Sequence, residues 1–319
     1  MDIDRIGQSS VEDLMSDELT RANRTLGGVS AVIALKLECP GEALVSDAIV
    51  ARLRGMLQHL ATQALTAAST KTADVRPDQV AIDELADRFR DDKAILSHLY
   101  ALAMEGHLAE RLERRSAIDP VQSPLLRELI GSDRPSTSGL AMEMLASQSR
   151  FIQTQRRMNL PMDELPAEMF ADLLEQVEAS LPEFGTSFSA SGLSALRARY
   201  DEGATRLGLL ARVMAVGREA PTVALQIEHA GLALFASGIS ELTGQPRELA
   251  ILACHERPAA RLALSLRAAG QSEDSIERQL FLLDRSEYDP VGIDAIAPDR
   301  AAAMLNGSGV SASHSTGRG

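Results

Sequence analysis

The chain has 319 residues, 45% of them hydrophobic and 24% charged, with a formal net charge of -13. That is enough apolar material for a real core in one large domain or two ordinary ones. The stretches before and after Ile118 are both acidic, which argues against duplex or RNA binding and against anionic membrane surfaces, while leaving room for a local arginine patch.

Aromatic residues make up only 3% and Trp is absent. The core must therefore be built from Leu, Ala, Ile, Val and Met, a composition that favours helices over strands. Lys occurs only at Lys36, Lys71 and Lys93, so nearly all positive charge is arginine.

In chain order, "QSSVED" offers Ser9 as a helix cap with Glu12 three residues on, a capping box. Leu14 to Leu37 and Glu42 to Ala68 are amphipathic or apolar segments. A helix then starts near Pro77, with Val80, Leu85 and Phe89 on one face. The next, from Lys93, ends in Arg111, Arg114 and Arg115, where cations suit the helix dipole. "SPLLRELIG" carries Ser123 as cap, Pro124 in the first turn and Gly131 as stop. Ser189 to Gly217 predicts one long helix, with Leu193, Leu196, Leu207, Leu210 and Val213 as its apolar face. The apolar run Ala220 to Leu242 carries Gln226, Glu228 and His229. Ionisable residues at that depth are costly in lipid, so a buried helix is predicted and no membrane span. Further helices are punctuated by Gly244, Pro246, Pro258, Gly270 and Ser272.

Short apolar helices joined by tight Gly/Pro turns predict an all-α fold of irregular stacked helical hairpins, a HEAT-like α-solenoid. Residues 1–118 form an N-terminal helical region, 119–300 the repeat-like domain and 301–319 a disordered tail. Two isolated thiols, Cys39 and Cys254, suit a reducing compartment. The N-terminus has no apolar signal core, and a cytoplasmic location is expected.

Chemistry is sparse. There is no G-x-S-x-G, Walker loop, C-x-x-C or H-E-x-x-H pattern. Cys254, His255 and Glu256 are consecutive, and neighbours on a helix cannot share one metal. No catalytic residue, cofactor or metal is expected. The stretch "SRFIQTQRRMNLPMDELPAEMF" is the exception. It places Arg150, Arg156 and Arg157 close to Asp163, Glu164 and Glu168, with Gln148 and Gln155 beside an apolar stripe of Leu140, Met144, Phe151 and Met158. Cations at one helix end and anions at the next make either a structural joint or an anion or partner site. His229, on the apolar stripe of its helix, reads as a hydrogen-bonded core histidine or as one wall of a pocket. Arg150, Arg156, Arg157, Gln148, Gln155 and His229 are thus the candidate binding surface.

That stretch and "RELAILACHERPAARLALSLRAAGQSEDSIERQLFLL" together resemble the uncharacterised bacterial family called domain of unknown function 2336, found largely in alphaproteobacteria. The resemblance covers roughly Pro124 to Leu283 and lies in helix rhythm, not in a catalytic motif. It implies HEAT-like repeats in a cytoplasmic protein and transfers no active-site residues. The expected function is a helical scaffold or regulatory adaptor that binds a protein partner. The alternative is a small-molecule or signal sensor with a pocket between helices.

Overall fold

A computed structural model of the protein describes residues 3–38, 46–70, 77–185, 187–257, 259–285 and 287–307. The fold is all-α. In chain order the helices are α1 (Ile3–Glu38), α2 (Asp47–Ala68), α3 (Gln79–Asp91), α4 (Lys93–Ser116), α5 (Pro124–Ile130), α6 (Pro135–Arg156), α7 (Ala167–Ser180) and α8 (Ser191–Arg199). They continue as α9 (Arg206–Met214), α10 (Ala220–Val223), α11 (Ile227–Thr243), α12 (Arg247–Ala253), α13 (Ala260–Ala268), α14 (Glu273–Leu282) and α15 (Pro298–Gly307).

Local chemistry sets many of these boundaries. Asp92 caps α4 by accepting from the Ala94 and Ile95 N–H groups at 2.9 and 3.2 Å. Ser123 accepts from Leu126 N–H, and Pro124 opens α5. Thr205 accepts from Gly208 N–H to start α9, and Ser272 caps α14. Each such cap satisfies a helix-end N–H that has no intrahelical partner. Gly244 (φ 67°) and Gly270 (φ 83°) end α11 and α13 in the left-handed region, as the sequence predicts.

α11 is buried on all sides from Ala230 to Ile239 and is wrapped by α4, α5, α9, α10, α12, α13 and α14. It bends at Gly231, whose φ of 72° only glycine adopts readily. Helices distant in the chain also meet: α1 packs on α13, α2 on α7 and α8, and α4 on α12. One apolar cluster runs from Met15 to Leu305, with Phe89 and Phe235 fully buried in it.

Four expectations change. α1 runs straight through the Ser9 capping box. The single helix over Ser189 to Gly217 is instead α8 and α9, broken at Tyr200–Thr205, where Asp201 accepts from Gly203 N–H and Thr205 caps the second piece. The segment 301–307 is not tail: it belongs to α15, which buries Ala301 and Leu305 against α13. α6 ends at Arg156, so Met158 is not on its apolar stripe but turns left-handed at φ 58°. Cys39, Pro258 and residues 308–319 lie outside the described residues. No described helix is long and apolar enough to cross a membrane.

Candidate functional site

Glu105 on α4 is 1% exposed and meets two arginines. Arg247 on α12 binds it with both Nη atoms, at 2.8 and 2.7 Å. Arg206 on α9 binds it in the same forked way. Burial alone would push the Glu105 carboxyl up, but the charges of Arg206 and Arg247 and their hydrogen bonds overcome this and hold it at about 2.

The rest of the cluster completes the hydrogen bonding. Arg206 Nε donates to Gln148 Oε1 at 2.8 Å, and Gln148 Nε2 donates to the Pro120 carbonyl. The Arg206 guanidinium lies 3.7 Å from the centre of the Phe151 ring, a favourable cation–π contact. Arg247 also donates to Ser237 Oγ and the Ala233 carbonyl. Five helices (α4, α6, α9, α11 and α12) are thus pinned to one buried carboxylate.

Above this cluster opens a cleft of about 640 Å³, within the size range of small-molecule sites. Arg206, Phe151 and Leu102 line it from below, while Arg150, Arg157 and Arg199 line it as exposed cations. Among the described residues these three arginines form no ion pair. The acidic residues of the wall are engaged differently. Glu164 accepts from the Arg206 backbone N–H at 2.7 Å, and Asp201 from Gly203 N–H. Asp163 makes no hydrogen bond or ion pair among the described residues.

The loop 157–162 that forms one lip is fixed on α2. A methyl group at Gly55 would stand 2.5 Å from the Met158 carbonyl oxygen, so only glycine permits this approach. Beyond it, Leu160 N–H donates to His59 Nδ1, Gln63 Nε2 donates to the Leu160 carbonyl and Met162 N–H donates to Gln63 Oε1.

A second cleft of about 570 Å³ adjoins the first and shares Asp163 and Arg199 with it. Thr62, Gln63, Thr66 and His59 of α2 form its polar side. Met162, Phe170, Leu196 and Tyr200 form its apolar side. Phe170 and Tyr200 stack with ring centres 4.3 Å apart, and the Tyr200 hydroxyl donates to the Leu165 carbonyl.

The candidate residues therefore separate. Arg150 and Arg157 come together at the cleft. Arg156 points away and pairs with Glu113 at 3.4 Å, both side chains about half exposed. Gln148 is buried in the ion cluster. Gln155 is buried too, donating weakly to Met56 Sδ while its Oε1 has no partner among the described residues. His229 is not a fully buried core histidine: the turn before Gly231 leaves it half-buried at the start of α11, paired with Glu128 at 3.3 Å. Sequence reasoning missed Arg199, Tyr200 and Arg206.

The reactive side chains elsewhere sit as core residues. Burial pushes the Cys254 thiol up to about 12, and its Sγ donates to the Ala250 carbonyl. Burial and the nearby Arg285 hold His255 down to about 4, so it is neutral at neutral pH. Among the described residues, no group of three His, Cys, Asp or Glu side chains could hold a metal ion. Comparison with family models, curated proteins and solved structures finds no match to this chain.

Proposed function

We propose that this chain is a cytoplasmic, non-enzymatic binding protein that senses an anionic small molecule in the arginine-lined cleft. The observation that carries this reading is the trio Arg150, Arg157 and Arg199, three guanidiniums without ion-pair partners among the described residues, facing one cleft of ligand size. Guanidinium groups are suited to forked recognition of phosphate and carboxylate. Arg206 belongs to α9, whose position depends on the five-helix ion cluster. A ligand that shifts the rim of the cleft therefore acts on elements joined directly to the core.

Thermal shift and calorimetry with phosphate, pyrophosphate, sulfate and di- and tricarboxylates test this. At least one anion is expected to bind, and the pair Arg150→Glu with Arg157→Glu to weaken it tenfold or more with little loss of stability. Arg156→Glu, outside the cleft, should leave binding unchanged and cost less than about 0.5 kcal/mol, as surface pairs do. Equal loss from Arg156→Glu would remove the cleft from the argument.

A helical adaptor for a protein partner is the second reading. Phe281 on α14 and Val291 after it favour it, because these large apolar side chains are 70% and 69% exposed. Affinity capture of the tagged chain should then yield one stoichiometric partner that Phe281→Asp releases. Retention of that partner by the variant would count against this face.

A further inference from the structure

We propose that the ligand of the arginine cleft is a nucleoside di- or triphosphate, its phosphates among Arg150, Arg157 and Arg199 and its base in the adjoining cleft. This rests on the reading that the first cleft binds an anion, and it adds the ligand's shape and class.

The spacing of the cations comes first. Arg150 and Arg157 are seven residues apart on α6 and its C-cap, which separates their backbones by roughly 10 Å along the helix. Both side chains must turn inward to share a single carboxylate or orthophosphate. A chain of two or three phosphates presents anionic oxygens over a length that lets both reach it, with Arg199 entering from α8.

Charge balance agrees with a polyanion. The two buried arginines share the single carboxylate of Glu105, while Glu164 accepts from the Arg206 backbone N–H. The cleft is lined by Arg150, Arg157, Arg199 and Arg206 against Asp163, Glu164 and Asp201, a surplus of one positive charge in an otherwise acidic protein.

The second cleft defines the remainder of the ligand. It shares Arg199 and Asp163 with the first as lining residues. One side is apolar and aromatic, with Leu196 and Tyr200. The other carries Thr62 and Thr66, whose hydroxyls donate to carbonyls of their own helix at 2.7 and 2.6 Å and keep acceptor lone pairs toward the cleft. An acyl chain would leave those oxygens facing hydrocarbon, which costs free energy. A flat heteroaromatic base offers an apolar face to one side and N–H donors at its edge to the other. Asp163, at the junction and without a hydrogen bond of its own among the described residues, is placed to accept from a sugar hydroxyl.

The test is calorimetry on the full chain with pyrophosphate, ADP, GDP, ATP and tri-glutamate. At least one nucleoside phosphate is expected to bind tenfold or more tightly than pyrophosphate. Thr66→Trp, an exposed position whose new ring fills the second cleft, should abolish that difference and leave pyrophosphate binding as it was. The comparison of nucleotide with pyrophosphate needs no variant and stands even if Thr66→Trp folds poorly. Pyrophosphate binding that a nucleoside does not improve overturns this inference and leaves the anion cleft in place. Tighter binding of tri-glutamate overturns it in favour of an acidic peptide. Binding of none of the five overturns the nucleotide, while the anion cleft then stands or falls on the carboxylates and sulfate.

Discussion

Replacing Glu105 with glutamine is expected to cost on the order of 3–5 kcal/mol, because it leaves two buried guanidiniums without their shared carboxylate. In a chain of this size that is a drop in melting temperature of about 4–8 °C. The pH dependence identifies the cause. The folded protein holds the Glu105 carboxyl at about 2, below its ordinary 4.5. A depressed carboxyl pKa contributes stability that is complete above the unfolded value and is lost as pH falls through the folded one. The advantage of the native chain over Glu105→Gln should therefore be constant above about pH 5 and shrink by on the order of 3 kcal/mol between pH 4.5 and 2. Denaturant melts of both proteins across that range would show it. A difference that stays constant into acid would mean that Glu105 is not the titrating group. Converting Glu105, Arg206 and Arg247 together to Leu, Met and Met should recover much of the loss, because an apolar replacement has no charge to desolvate.

The sequence carries more of the helix boundaries than of the site. Ser123, Pro124, Gly244, Gly270 and Ser272 were legible because caps and stops act over three or four residues. The break between α8 and α9 was not. Leu196 and Leu207 are eleven residues apart, close to three helical turns, so the apolar period runs unbroken across a real interruption. The overlooked signal was Asp201 and Thr205, two capping residues around Gly203. With that helix drawn straight, Arg199 and Tyr200 could not be seen as a cleft wall. The ion cluster depends on pairs 101 and 142 residues apart in sequence, which no local pattern encodes. One hint existed. Glu105 lies on the same face of α4 as Leu102, Leu108 and Leu112, all buried, and a carboxylate on an apolar stripe needs a cationic partner. Arg150 and Arg157 were recognisable as one polar face of α6, but which groups they face depended on where Glu164 turned. It bonds to α9 and not to the arginines beside it in sequence.

Gly192→Ala is expected to be the most damaging methyl group that can be added near the clefts. At Gly192, in the first turn of α8, a side-chain carbon would overlap the Ala67 carbonyl oxygen in the last turn of α2. Backbone atoms cannot rotate aside as a side chain can. Relief by sliding is blocked as well, because residues 187–189 are tied to the end of α2. Ser189 N–H donates to the Ala68 carbonyl at 2.7 Å and Thr70 N–H to the Ser187 carbonyl at 2.9 Å. Overpacking of this kind costs about 3 kcal/mol or more. The contrasting substitution is Gly139→Ala on the open face of α6, where nothing stands within 4 Å. There the better helix former should add roughly 0.5–1 kcal/mol. Opposite signs from the same chemical change, read by thermal melts, would confirm that close approach and not helix propensity governs Gly192. Because α8 carries Leu196 and Arg199 and leads into Tyr200, lifting it from α2 also displaces the wall shared by both clefts. Gly192→Ala should therefore speed tryptic cleavage after Arg197 and Arg199 and weaken anion binding together. Loss of stability with cleft binding intact would separate α8 from the site.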